Sequence, residues 1–381
     1  MDERVLIVGV STRAFAESAV RAGRRCVTVD AFGDLDQKAR VENVALVRDR
    51  GRAYSAAAAV ALGRTLDAPA AAYVANLENH PAAVRRLAAG RRLLGNPPAT
   101  LAGARDLRQL AAAVRRAGAR VPETLSADEV GSADPRRRWL RKPLRGGGGQ
   151  GVADHLAGRR LRAGEVLQER IDGTSGSVSF AADGRRAVVL GVSRGLAGDA
   201  SFGARGYRYC GNLYPLAAGS ALLDRLDALA QATTRAFGLV GVNGLDFVER
   251  DGTVHVLELN PRYSASMELI ERSGRLNVFE AHAAACGGAN VATAPPPPPP
   301  GAVFGKGIVW ARRDVVVGDT RGWLSRDDVC DVPFPGEPIR RGHPICSVFA
   351  RGADEASCYE HLRLAAASIL AEVETGVEAT P

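Results

Sequence analysis

At 381 residues, 46% hydrophobic and 24% charged, the chain has the composition of an ordinary globular protein. It is too long for one core, so two or three domains are expected and a disordered or fibrous chain is excluded. The formal net charge is +8, but the basic residues are mostly arginines scattered along the chain and aromatics make up only 5%, which argues against a nucleic-acid partner. The absence of any apolar run of about 18 residues leads us to expect no membrane span, and the start of the chain does not read as a signal peptide. Cys26, Cys210, Cys286, Cys330, Cys346 and Cys358 show no CxxC spacing, so free thiols in a reducing cytoplasm are expected rather than zinc or a redox pair.

In chain order, the apolar run Arg4 to Val10 ends in Gly9-Val10-Ser11-Thr12-Arg13. A helical pattern through Phe15, Ala19 and Val20 follows, then a strand from Cys26 to Val29 that closes on Asp30. Strand, helix, strand opens a parallel α/β sheet of Rossmann type, but Gly9 to Arg13 lacks the GxGxxG spacing of a dinucleotide site, and the glycine reads as a turn. The alternation continues through Val44 to Val47, Ala70 to Val74 and Arg92 to Gly95, and a first domain is placed at residues 1–100. Leu101 to Ala117 reads as one amphipathic helix ending at Gly118. Strands are expected at Trp139 to Lys142, Val166 to Ile171, Ser177 to Ala181 and Ala187 to Val192, in a central domain of residues 101–290. The six prolines Pro295 to Pro300 read as a polyproline spacer of about 19 Å at roughly 3.1 Å per residue, within a linker of residues 291–300. A small α+β unit, residues 301–381, carries strands near Gly307 to Ala311 and Ile345 to Ala350 and a final helix from Glu355 to Val373.

Two segments carry chemistry. In Arg141 to Gly151 a lysine, Lys142, precedes the glycines Gly146, Gly147, Gly148, Gly149 and Gly151. A Walker A loop is excluded, because it needs the lysine after the last glycine. The arrangement instead suits a strand that aims Lys142 at phosphates, followed by a mobile loop whose backbone N–H groups close over them. In the second, Glu258 and Asn260 lie two apart on an expected strand, Thr253 to Leu259, so both face one side. The hairpin Glu249-Arg250-Asp251-Gly252 brings Asp246 of a preceding strand, Leu245 to Val248, beside Glu258. Two carboxylates and a carboxamide among apolar neighbours favour a bound cation, Mg2+ or Mn2+ bridging phosphates, over an unpaired acid pair. A guanidinium just beyond, at Arg262, can hold a carboxylate in a bidentate way.

These segments, with Gln168-Glu169-Arg170-Ile171-Asp172-Gly173 between them, resemble the ATP-grasp superfamily in order and spacing over residues 1 to 290. The resemblance implies an ATP-grasp fold of α/β and α+β parts, with an N-terminal Rossmann-like domain, the ATP-grasp domain and a small C-terminal domain. It also implies a carboxylate activated by ATP as an acyl phosphate and attacked by an amine. By resemblance Lys142 contacts phosphates, Gln168, Glu169, Arg170 and Ile171 form the adenine hinge, Asp246, Glu258 and Asn260 hold magnesium, and Arg262 faces the acyl group. Two departures stand out. The second phosphate lysine is replaced by Leu107, leaving Arg105 or Arg108 as substitutes, and the ribose-gripping acid is replaced by Ser175, leaving Asp172.

Val29 to Asp36, Leu77-Glu78-Asn79-His80-Pro81, Asn260 to Glu268 and Gly342 to Cys346 further resemble the carboxylase-related branch found with tetrahydromethanopterin and methanofuran pathways, which includes tyramine-glutamate ligases. No biotin-attachment motif is present. The expectation is a cytoplasmic ADP-forming carboxylate-amine ligase, possible partners being glutamate with tyramine or tyrosine, and a homodimer is allowed. A phosphotransferase and a non-catalytic nucleotide-binding module stay open. His155, His255 and His282 are isolated and read as structural or exposed; Arg205, Arg208 and Tyr209 are expected in a loop before Cys210-Gly211-Asn212.

Overall fold

The computed structural model describes residues 3–156, 158–274, 276–288 and 301–375; the expected proline spacer lies outside them. The amino-terminal sheet is parallel, in the order Glu42–Ala45, Cys26–Asp30, Val5–Val8, Ala70–Tyr73, Arg92–Leu94. Val5–Val8 and Ala70–Tyr73 are buried throughout, as unbroken apolar runs are when helices cover both faces of a sheet. Phe15, Ala16 and Ala19 of the helix Arg13–Arg21 join Val5 and Ile7 in one core. Ala59, Val60, Val84 and Leu87 join Leu6 and Val8 in the other. Gly9 is needed for close approach rather than for a turn: a Cβ there would sit 2.2 Å from Val74 Cγ2 and 2.8 Å from the Ala75 carbonyl oxygen.

Two expected elements change. The run Val44 to Val47 is strand only to Ala45, because the Asp49 carboxylate accepts the Ala45 N–H at 2.8 Å and starts a helix, Leu46–Arg50. The single helix Leu101 to Ala117 is two, Pro98–Ala104 and Leu107–Arg116. Asp106 makes the break by accepting the N–H groups of Arg108 and Gln109 at 2.9 and 3.1 Å, an N-cap in mid-pattern.

A small antiparallel sheet follows, in the order Thr124–Leu125, Glu165–Glu169, Trp139–Pro143, Ala153–Asp154. Leu125, Trp139 and Leu167 form its own core on one face. The register puts Thr124, Gln168, Leu140, Val166 and Lys142 on the other.

The largest sheet has eight strands, in the order Thr253–Asn260, Val240–Arg250, Thr174–Asp183, Ala187–Ala197, Tyr209–Tyr214, Val303–Trp310, Pro344–Gly352, Val329–Cys330. The carboxy-terminal strands therefore continue the central sheet edge to edge. Tyr209–Tyr214, whose first residue was expected in a loop, is the strand that joins them. Its Cys-Gly-Asn core has little strand propensity, but Gly211 lies where a Cβ would be 2.0 Å from the Lys306 carbonyl oxygen. The helix Ser220–Phe237 buries Leu226, Leu229 and Ala230 against Val178, Phe180, Leu245 and Phe247 on one face of this sheet, each large side chain contributing roughly 2 kcal/mol. The helix Glu355–Thr375 covers the carboxy-terminal strands in the same way through Cys358, Leu362 and Ile369. The opposite face carries Ser177, Asp246 and Glu258 in register, beside a second core that includes Ala181, Leu190 and Val242.

Candidate functional site

The hairpin turn is Asp251-Gly252, with positive φ at both residues (49° and 73°) and Arg250 paired with Thr253, the tight turn that Asp-Gly favours. Counted straight from that turn, Asp246 would oppose Leu257, on the wrong face for Glu258. A bulge between Asp246 and Phe247 shifts the register by one, so Asp246 opposes Glu258 and Gly244 opposes Asn260. This irregularity, invisible in the sequence, brings the three expected ligands to one face.

Asn260 Nδ2 donates to Asp246 Oδ2 at 2.8 Å and to Glu258 Oε1 at 3.4 Å. Burial, then the charge of Glu258, pushes the Asp246 carboxyl up to about 7. Burial also works against the charge of Glu258, but Lys142, Arg105 and Arg262 outweigh it and hold that carboxyl below its ordinary value. Among the described residues no three His, Cys, Asp or Glu gather as a metal cluster. The two carboxylates fit a hard cation that takes its other oxygens from a ligand; Asn260 turns its Nδ2 to them and its Oδ1 to Arg262, so its amide must turn over to offer an oxygen.

Arg262 stands beside this set, its side chain 11% exposed. Its Nη2 donates to Asn260 Oδ1 at 3.0 Å and its Nε to Glu78 Oε1 at 3.0 Å. Glu78 was legible only as part of a family-like segment, with no role attached. It comes from the short turn Leu77–Asn79 of the amino-terminal domain and also faces Arg105 Nη2 at 3.4 Å. Arg105 Nη1 stands 4.0 Å from Glu258 Oε2, so of the two arginines near Leu107 it is Arg105 that meets the acids. Arg108 lines a separate cavity.

That cavity, about 980 Å³, lies between the helix Leu107–Arg116, the small four-stranded sheet (hereafter the lid sheet) and the Thr253–Asn260 strand, and is lined by Gln168, Glu169, Thr124, His255 and Leu257 among others. Gln168 is buried and donates to Thr124 Oγ1 at 3.1 Å, and Glu169 N–H donates to the Glu123 carbonyl at 2.8 Å. Arg170 pairs with Asp172 at 3.0 Å, and Asp172 with Arg138 at 3.3 Å; Ile171 follows the strand's end at Glu169. His255 is buried with Nδ1 unpartnered among the described residues, and His282 Nδ1 accepts the Val242 N–H at 2.9 Å, a structural contact.

Lys142 lies on the lid strand Trp139–Pro143, whose hairpin partner is Ala153–Asp154. The glycine loop between them is docked onto the large sheet, because the Gly148 carbonyl accepts the Tyr209 N–H at 2.9 Å. Gly149 has φ 71° and no room for a side chain: a Cβ would lie 1.8 Å from the Tyr207 carbonyl oxygen. Gly149→Ala is therefore expected to undock the loop without unfolding the lid core. Hydrogen exchange across residues 146–151 should rise at least about tenfold, with melting within about 2 °C of wild type; unchanged exchange would contradict this docking. Arg208 is committed to structure, stacking 4.6 Å from the Trp310 ring and donating to the Gly342 carbonyl. No described helix is long and apolar enough to cross a membrane.

Residues 104–266 match the family model of the ATP-grasp domain. Among solved structures the chain resembles Rhizobium etli pyruvate carboxylase T882A at a TM-score of 0.73 and 15% identity, over 95% of this chain and 37% of that one. It resembles a biotin carboxylase–β-γ-ATP complex from Campylobacter jejuni at 0.72 and 13% identity, over 97% and 91%. An L-amino acid ligase from Bacillus licheniformis aligns at 0.66 and 13% identity, over 96% and 97%. No curated protein matches the chain. The fold is the mixed α/β ATP-grasp fold.

Proposed function

We propose that the protein is an ATP-dependent, ADP-forming carboxylate-amine ligase. The observation that carries this reading is the meeting of three parts at one place: the Asp246, Glu258 and Asn260 set, Lys142 acting on Glu258 from the lid, and the Arg262–Glu78 pair. The cavity beside Gln168, Glu169 and Leu257 is of the size that takes a nucleoside, and pockets of this kind span about 300–1,000 Å³. Asp246, Glu258 and Asn260 would hold Mg2+ or Mn2+, which when bound neutralises phosphate charge. Lys142 and the N–H groups of the glycine loop hold the terminal phosphoryl group and exclude water, and Arg262 orients the acid. A carboxylate oxygen attacks the γ-phosphorus and ADP leaves. The amine nitrogen then attacks the acyl carbon, phosphate departs with the carbon–oxygen electron pair, and the amine's proton passes to water or to a neighbouring base.

The segments Asn260 to Glu268 and Gly342 to Cys346 favour, by their resemblance, glutamate as the acid and tyramine or tyrosine as the amine, a step of methanofuran-type coenzyme biosynthesis in the cytoplasm. The test is ATP turnover with glutamate and hydroxylamine, followed by tyramine. ADP, phosphate and a hydroxamate or amide by mass spectrometry support a ligase. ADP with a phosphorylated product and no amide marks a phosphotransferase. Nucleotide binding without turnover on any pooled amino acid or amine marks a binding module.

The lysine missing at Leu107 motivates that last alternative, and Arg105 answers it by standing at Glu258. Arg105→Ala is expected to raise KM for ATP by about tenfold or more, roughly 1.4 kcal/mol, and Arg108→Ala by less than about threefold. Steady-state kinetics on the two variants decide it; the reverse order would give the phosphate contact to Arg108.

A further inference from the structure

The segment Asn76–Asn79 lies at the carboxyl end of Ala70–Tyr73, beside Val5–Val8. Here the strand order of the amino-terminal sheet reverses, the place where open parallel sheets bind ligands. Leu77–Asn79 is a 3-10 turn, and Asn76 is the residue that caps it. Asn76 Oδ1, Glu78 Oε2 and both side-chain polar atoms of Asn79 are buried with no hydrogen-bond partner among the described residues. Glu78 is 2% exposed and engages Arg262 and Arg105 through Oε1. Buried polar atoms are nearly always paired, and so many orphans in four residues mark a place where something else supplies the partner.

We propose that Asn76, Glu78 and Asn79 recognise the amino group of the amine substrate, an inference that rests on the ligase reading above. Three oxygens, Asn76 Oδ1, Glu78 Oε2 and Asn79 Oδ1, await donors; a primary ammonium offers three N–H donors and no acceptor, and it gives one proton to water before the freed lone pair attacks the acyl carbon. An anion would meet the Glu78 charge and find only the Asn79 amide as a donor. Glu78 is joined at 3.0 Å to Arg262, so a cation-selecting carboxylate and an anion-selecting guanidinium stand side by side. An amine on one and a carboxylate on the other are neighbours, as amide formation requires.

The experiment separates the two half-reactions, with the twenty amino acids and their decarboxylated amines, pooled, as nucleophiles, and hydroxylamine at molar concentration as a small nucleophile that reaches the acyl phosphate by mass action. In Asn79→Leu, KM for the reacting amine is expected to rise at least about tenfold, while KM for ATP and the hydroxamate rate change less than about threefold. Asn79→Asp keeps the acceptor oxygens and should hold KM for the amine within about threefold of wild type, which also controls for misfolding. Equal loss of amide and hydroxamate formation in Asn79→Leu, or an unchanged amine KM, overturns the assignment. Wild-type enzyme that makes neither hydroxamate nor amide overturns the ligase reading itself, and this inference with it.

Discussion

Replacing Glu258 with Gln is expected to lower kcat by at least about a hundredfold, because under the proposed function it removes a metal ligand and with it charge stabilisation of several kcal/mol from phosphoryl transfer. Glu258 is the better-ionised member of the pair, held there by Lys142, Arg105 and Arg262 against its burial, while Asp246 carries a carboxyl raised to about 7. The raised value has a sign that can be checked. Between the ordinary aspartate range and about 7 the folded protein holds a proton on Asp246 that the unfolded chain releases. Stability without the cation therefore falls as pH rises through that window, and a divalent ion that displaces the proton restores it. Apparent Mg2+ affinity should then rise with pH up to about 7 and level off above it. In Glu258→Gln the like charge that helps to raise Asp246 is gone, so the inflection moves to lower pH as turnover collapses. Mg2+-dependent ADP release and calorimetric titration from pH 5.5 to 8.5 measure both. Near-wild-type turnover in Glu258→Gln would remove this pair from the metal-binding role.

What was legible in the sequence follows from what is local. The parallel start of the chain shows in unbroken apolar runs such as Val5–Val8, and the hairpin shows in Asp251-Gly252, since both depend on a few adjacent residues. The bulge that sets Asp246 against Glu258 has no composition signal; counted from the turn, alternation opposes Asp246 to Leu257, and the expected neighbour Glu258 came from the acids' chemistry rather than from their register. Tyr209–Tyr214 escaped because its strand character is imposed by Lys306 and Gly307 about a hundred residues away. Glu78 was present in a quoted segment but had no assignable role, since its meaning is its contact with Arg262, 184 positions on. The break in the helix pattern at Asp106 was available, because an aspartate before Leu-Arg-Gln is a cap signal, but the apolar periodicity runs on through it.

Arg262→Lys is expected to lower kcat/KM for the acid substrate by about tenfold or more, at roughly 1.4 kcal/mol per decade, and to leave ATP affinity within about threefold. The side chain is 11% exposed and its donors are divided: Nε and Nη2 go to Glu78 Oε1, Nη2 also to Asn260 Oδ1, and Nη1 to the Tyr263 carbonyl at 3.1 Å. It therefore ties the amino-terminal domain to the metal-binding strand, with its charge beside the acid pair rather than in the nucleoside cavity, whose lining does not include it. A lysine keeps the charge but is a single point donor. It cannot hold Glu78, Asn260 and the Tyr263 carbonyl together and still keep a donor for a carboxylate. The acid would bind with its oxygens misaligned to the γ-phosphorus, and a small misplacement of the attacking atom is costly. On the proposed reading nucleotide binding rests on Lys142, Arg105 and the hinge, of which the substitution reaches only Arg105, through the shared Glu78. Calorimetric titration of a non-hydrolysable ATP analogue and acid-substrate kinetics on the same variant separate the two effects. A large loss of analogue affinity with unaltered acid kinetics would place Arg262 on the phosphates and leave carboxylate recognition to another residue.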